Sequence, residues 1–313
     1  MDPSKFGVST IPLNHAPYGP LRPEKLAGVN KGKVAAVTGA ARGIGRAISE
    51  HLALSGANLA ILDLLVEPLA ETKTLCEKYG VKVFMYACDV TDVEQVRAAL
   101  KQIEGDLGPI DIMVNNAGIS PGRPQWMESF EDFWKTIEIN FKSAMVTTWA
   151  VLPGMRERKS GVIINIASRA ATVDFPFAVG YNSSKAAVTR AVSTLQEEID
   201  LDNLGDTIQL YALHPGGVYT AMAKTEPLPE MLEKYPALSQ HGTDFKSLFK
   251  DPPELCGATC AYLGTGKAKE IRGMYFDCRQ DIERVCAVGR EKLQKDVLYT
   301  LKMDFIEGYQ NEP

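Results

Sequence analysis

Long apolar runs are missing: no stretch of the 313-residue chain approaches the roughly 20 consecutive apolar residues a membrane-spanning helix needs. The opening "MDPSKFGVSTIPLNHAPYGP" holds no apolar core of signal-peptide length, and the closing "QNEP" is no peroxisomal address, so a cytoplasmic location is expected. An excess of positive charge is also absent. With 34 Lys and Arg against 39 Asp and Glu, the net charge of −5 argues against nucleic acid or an anionic membrane as the main partner. The six cysteines (76, 88, 256, 260, 278, 286) are too thinly spread for a disulfide framework. Cys256 and Cys260 stand four apart, but none of the four histidines lies near them, so buried thiols are expected and no metal site.

What is present has an order. Seven short runs rich in β-branched residues recur at 33–39, 58–64, 81–87, 111–117, 161–167, 207–213 and 273–278. Most are apolar with little alternation, as in strands buried on both faces. Between them lie stretches of helical spacing such as "IGRAISEHLALSG" and "SKAAVTRAVSTLQEEI". Strand–helix alternation predicts right-handed crossovers: a Rossmann-type, doubly wound α/β fold with a seven-stranded parallel sheet and helices on both faces. The main domain is placed at 32–280. Residues 1–31, rich in Pro, Gly and Asn, read as an extended arm, and 281–313 as a tail with helical spacing. Residues 221–250 form a long insert before the last strand, of the kind that covers a ligand site.

The first strand runs into "TGAARGIG" (38–45) and then a helix. Its glycines, Gly39, Gly43 and Gly45, let the chain turn sharply, and with Arg42 and Ile44 they make a candidate diphosphate cradle at a helix N-terminus. The second strand ends at Asp63, placed to accept hydrogen bonds from both hydroxyls of an adenine ribose and to repel a 2′-phosphate. Leu64 and Leu65 offer no cation there, while Arg42 pulls the other way. The expected cofactor is NAD, with NADP second.

One short stretch, "VGYNSSKAAV" (179–188), sets Tyr181 four residues before Lys185 near a helix start. Such residues sit one above the other and can meet over one substrate, although the spacing alone also fits two ordinary helical neighbours. Other stretches complete a pattern: "CDV" (88–90), "NNAG" (115–118), Asn140 in "IEINFKS", Ser168 in "INIAS" with twelve residues between it and Tyr181, and "PGGVYT" (215–220). Together, over residues 32–280, they resemble the short-chain dehydrogenase/reductases in their compact single-domain form.

That resemblance implies a catalytic set of Asn140, Ser168, Tyr181 and Lys185. Tyr181 would act as general acid/base, Lys185 would favour its phenolate and hold the nicotinamide ribose, Ser168 would bond the substrate oxygen, and Asn140 would hold a relay water. A free phenol, with a pKa near 10, stays protonated at neutral pH and cannot serve as a base, so the nearby ammonium and the cationic oxidised nicotinamide are both needed to favour phenolate. The resemblance also implies cofactor contacts from Asp89 and Val90 at the adenine and Asn116, Ala117 and Gly118 under the ribose. Pro215, Gly216, Val218 and Thr220 would line the nicotinamide, and Asn115 would be structural. The expected activity is an NAD(P)-dependent interconversion of secondary alcohol and ketone. The alternatives are a dehydratase or epimerase on the same fold, or a catalytically silent dinucleotide-binding regulator. Candidate pocket walls (Ile119, Ser120, Pro121, Arg169, Ala170, Phe175, Phe177, Tyr219, Met222, Met231) are mostly apolar, which points to a bulky terpenoid, polyketide or steroid-like substrate. Similar builds recur among fungal secondary-metabolite enzymes. Helices expected at 134–151 and 184–199 resemble the family's subunit contact, so a homo-oligomer, dimer or tetramer, is expected. The last strand departs from the family, ending in "DCRQD" (277–281).

Overall fold

Each of the seven β-branched runs becomes a strand in the computed structural model, which describes residues 9–224, 227–236, 238 and 249–307. They are β1 (Val34–Thr38), β2 (Asn58–Asp63), β3 (Val83–Ala87), β4 (Ile112–Asn115), β5 (Gly161–Ile166), β6 (Ile208–His214) and β7 (Tyr275–Asp277). All pair in parallel, in the order β3-β2-β1-β4-β5-β6-β7. The order reverses between β1 and β4, and the crevice at the carboxyl ends of those strands is where such sheets bind ligands.

Strand alternation sorts the core into two faces. Ala35 and Val37, with Tyr211 and Leu213, look one way onto α2 (Gly43–Leu54) and the returning helix Pro253–Leu263. Val34, Ala36, Leu210 and Ala212 look the other way. Between α2 and the insert come α3 (Leu69–Glu77), α4 (Val93–Leu107), α5 (Phe130–Ile137), α6 (Ser143–Arg158) and α7 (Val179–Leu201), with α1 (Pro23–Leu26) ahead of β1. The insert carries α8 (Pro229–Lys234); Pro253–Leu263 is therefore α9, and α10 (Ile282–Cys286) and α11 (Arg290–Lys295) follow β7. The rest of the insert, residues 225–226, 237 and 239–248, lies outside the described residues.

Three local expectations change. The helix expected at 134–151 is two helices joined by a π-turn at Glu138–Lys142, and α6 runs on to Arg158. Among the described residues, the helical spacing of the tail yields helix as far as Lys295 and none beyond it. Val297 and Tyr299 take positive φ (51° and 58°), and the Tyr299 carbonyl accepts from the Tyr275 amide at 2.8 Å, so the chain turns back along the edge of β7. The arm is more than an extended strand: it folds α1 and buries Leu21 and Leu26 against the α2–α9 face.

Candidate active site

The glycine turn is built by contact. Gly39 and Gly43 take positive φ (64° and 57°), a region most side chains avoid. A Cβ on Gly45 would stand 2.1 Å from the Gly39 carbonyl oxygen, so α2 can begin this close to β1 only without one. No side chain caps α2 and no acidic residue sits in its first turn, so its N–H groups and positive dipole end face the cleft. These features fit a diphosphate.

Thr38 ties the next wall to this turn, a role the sequence reading did not assign. Its hydroxyl accepts from the backbone amides of Asn116 and Ala117 at 3.0 and 3.1 Å. The Asn116 side chain donates to the carbonyls of Thr38 and Gly39, both at 3.0 Å, so it braces the turn, and Asn116–Gly118 offer the cleft mainly backbone. Asn115 is structural, donating to Asn165 at 2.9 Å and accepting from Thr147 at 2.6 Å. Asp63 accepts from the Ala41 and Leu64 amides at 3.0 and 2.9 Å, which fixes its carboxylate beside the glycine turn. The Asp89 carboxylate turns inward, accepting from the Thr91 amide and hydroxyl at 2.9 and 2.7 Å. Thr220 faces Gly43 across the cleft, its Cγ2 3.5 Å from where a Cβ would lie. Pro215, Gly216 and Val218 lead to it from β6, with Val218 buried.

The catalytic candidates meet at the other end of the crevice. α7 carries Tyr181 and Lys185 one turn apart, with the Lys185 ammonium 5.7 Å from the Tyr181 ring centre. Gly180 lets α7 press on α5: a Cβ there would lie 3.2 Å from Thr136. Ser168, just past β5, accepts from the Ala170 amide at 3.1 Å and hydrogen-bonds the Tyr181 phenol. Asn140, in the π-turn, does not bond its own helix. Its amide accepts from the Ile119 N–H and donates to the Ile119 carbonyl, both at 2.8 Å. Gly118 sits between the two groups: a Cβ there would be 2.9 Å from the Asn140 oxygen and 3.7 Å from the Lys185 nitrogen.

Burial governs the ionisation of this site. It pulls Lys185 down to about 8 while the ammonium donates to the Ile166 carbonyl at 2.7 Å. The Tyr181 phenol is raised by burial and only partly relieved by the Ser168 hydrogen bond. The lysine does not by itself make the phenol acidic, because both groups are desolvated together.

Sequence reading also missed a polar cluster behind Ser168. Arg279 forks onto Asp277 at 2.9 and 2.6 Å, and Asp251 lies 3.9 Å away. His214, at the end of β6, is buried near both aspartates and near Arg169, with its ring stacked on Tyr275. The only signal was the unusual "DCRQD". The described insert packs on the loops after β5 and β4, with the rings of Tyr235 and Phe177 centred 5.1 Å apart and Lys234 4.3 Å over the Trp126 ring.

Known proteins resemble this chain in sequence and in fold. The short chain dehydrogenase family profile matches residues 33–230. A short chain dehydrogenase of Pseudocercospora fijiensis is 31% identical over 312 residues, covering 95% of this chain and 98% of its own. Another from Monascus purpureus is 30% identical, over 85% of this chain and 87% of its own. A solved structure from Sinorhizobium meliloti, described as a short-chain alcohol dehydrogenase, is 32% identical with a TM-score of 0.67, covering 79% of this chain and 95% of its own. With the fold and most of its length matched, the chain belongs to the short-chain dehydrogenase family, a family of oxidoreductases that use nicotinamide dinucleotides.

Proposed function

We propose that the protein interconverts a secondary alcohol and a ketone by hydride transfer with NAD, on a bulky and mostly hydrocarbon substrate. The observation that carries this is the meeting of Ser168, Tyr181 and Lys185 at the carboxyl end of the sheet, with Ser168 bonded to the phenol and Lys185 buried beside it. When bound, the dinucleotide takes or gives the hydride, and its oxidised ring adds the positive charge that Lys185 alone does not supply to the phenol. Tyr181 takes the carbinol proton in oxidation and returns it in reduction. Ser168 holds the substrate oxygen and steadies its developing charge. Lys185 keeps a cation near the phenol, and Asn140 fixes the Ile119 backbone that borders both. Relatives named 2-(R)-hydroxypropyl-CoM dehydrogenase (Xanthobacter autotrophicus) and sorbose reductase (Candida albicans) support the reaction class.

NAD is favoured over NADP because Asp63 is held at the ribose end with the exposed Leu64 and Leu65 beside it, while the nearby Arg46 is paired with Glu71 at 2.6 Å. The apolar walls and the insert over Phe177 support the substrate class, with burial worth roughly 25 cal/mol per Å². Tyr181→Phe should lower kcat by about 10²–10⁴-fold while NADH binding, read by fluorescence titration, stays within about threefold. Activity close to wild type would end the assignment. A wild-type preference for NADPH in the same titration would overturn the cofactor reading.

A further inference from the structure

The segment ahead of β1 is not needed to complete the sheet, yet it reaches the rim of the cleft. The amide and the side-chain nitrogen of Asn14 both donate to the Arg279 carbonyl, at 2.8 and 3.0 Å. The Tyr18 hydroxyl donates to the Gln280 carbonyl and accepts from the Ile282 amide at 2.9 Å. Between these anchors, His15 Nδ1 donates to Asp251 Oδ1 at 2.5 Å, across 236 residues of sequence. The two partners are unequal: the His15 side chain is 49% exposed and that of Asp251 only 1%.

Asp251 in turn holds the loop 215–220. Its Oδ2 accepts from the Gly217 amide at 2.5 Å, and its own amide donates to the Gly217 carbonyl at 2.9 Å. Val218 pairs with Asp251 as an isolated parallel bridge. Gly216, at φ +82°, packs so closely that a Cβ would stand 2.7 Å from Asp251 Oδ2. Arg279 Nε, 3.9 Å from the same oxygen, adds charge while its fork stays on Asp277. One buried carboxylate is thus gripped by the arm on one oxygen and grips the loop with the other. A buried carboxylate that loses a charge-assisted partner has to reorient or take up water, and either change loosens what its second oxygen holds.

We propose that His15 is a positioning residue for the reaction: acting through Asp251, it fixes the 215–220 loop against which the nicotinamide end of the cofactor rests. The arm is then part of the active site's frame rather than an appendage. This rests on the hydride-transfer reading only for its kinetic consequence. The structural consequence stands apart from it, since it is read in the protein without cofactor.

The test compares wild type, His15→Ala and His15→Asn, all in the full chain. The Asn side-chain nitrogen can stand where Nδ1 does and donate to Asp251. In cofactor-free protein, hydrogen exchange of the peptide spanning 215–220 should speed up about fivefold or more in H15A and return to near wild type in H15N, while peptides from β1 and β4 are unchanged. With a ketone substrate that the wild type reduces, kcat should fall about tenfold in H15A, with NADH affinity within about threefold because the glycine turn and Asp63 hold the other half. H15N should recover most of kcat. Exchange at 215–220 in H15A within twofold of wild type would overturn the proposal, whatever the activity. So would faster exchange that H15N does not reverse. If wild type transfers no hydride, the exchange comparison alone decides it, and the proposed function fails separately.

Discussion

His214 shows how a buried titratable group writes itself into stability. Burial is the main cause that lowers its pKa to about 4, with Arg279 and Arg169 adding to the effect and Asp277 and Asp251 opposing it. The unfolded chain, with a histidine near 6.5, takes up a proton that the folded chain refuses until about pH 4. Stability is therefore full above about pH 6.5 and is lost as pH falls toward 4. Between pH 7.5 and 5 the loss from this residue is about 2 kcal/mol. His214→Gln should lose that much less than wild type over the same interval, measured from urea midpoints; parallel losses would show that the imidazole is not held neutral. Lys185 bears on cofactor binding instead. Its value of about 8 means that raising the pH through 8 discharges the ammonium in the cofactor-free protein. NADH affinity should accordingly decline between pH 7 and 9.5 in wild type and stay flat in Lys185→Met. A flat wild-type titration would mean that the charge does not serve cofactor binding.

Among the elements, contact between helices explains more than their propensities. α2 and α9 meet where Gly257 has no side chain: a Cβ there would lie 2.5 Å from the Ala47 carbonyl oxygen and 2.7 Å from His51 Nδ1. Gly257→Ala should therefore cost about 1–3 kcal/mol by overpacking. Gly105→Ala, on the open side of α4 where nothing lies within 4 Å, should stabilise by about 0.5–1 kcal/mol. Denaturant midpoints moving the same way for both would refute the contact. The sheet was legible because parallel strands buried on both faces need unbroken apolar runs, and those runs stand out between amphipathic helices. The glycine turn and the Tyr181–Lys185 spacing were legible because each is local. The π-turn holding Asn140 was not, since it arises from the fit of α5 and α6 against α7 and the Ile119 loop. Nor was the grip of His15 on Asp251, because two residues 236 positions apart leave no mark in any window of sequence. The tail misled for a related reason: its spacing is helical, but past Lys295 the chain follows the edge of β7 instead.

At the scale of the whole molecule, the distribution of tryptophan bears on assembly. The chain has three, Trp126, Trp134 and Trp149, and they are 46%, 49% and 60% exposed. Phe130, 68% exposed, stacks on Trp134 with ring centres 6.1 Å apart. Trp149 lies on α6, beyond the π-turn that joins it to α5. Single exposed apolar residues need no explanation, but large aromatics gathered along adjoining helices leave costly surface in water, and burying it against a second copy would recover roughly 25 cal/mol per Å². The family resemblance implied a subunit contact through helices at 134–151 and 184–199, and Trp134 and Trp149 fall within the first of these. Light scattering at micromolar concentration should therefore give a mass that is a multiple of 34.2 kDa. Trp134→Glu combined with Trp149→Glu should move the mass toward 34.2 kDa without unfolding the chain, because both side chains are already half in water. A wild type found only at 34.2 kDa would show that these aromatics stay in water. An oligomer untouched by the two charges would place the contact on another face.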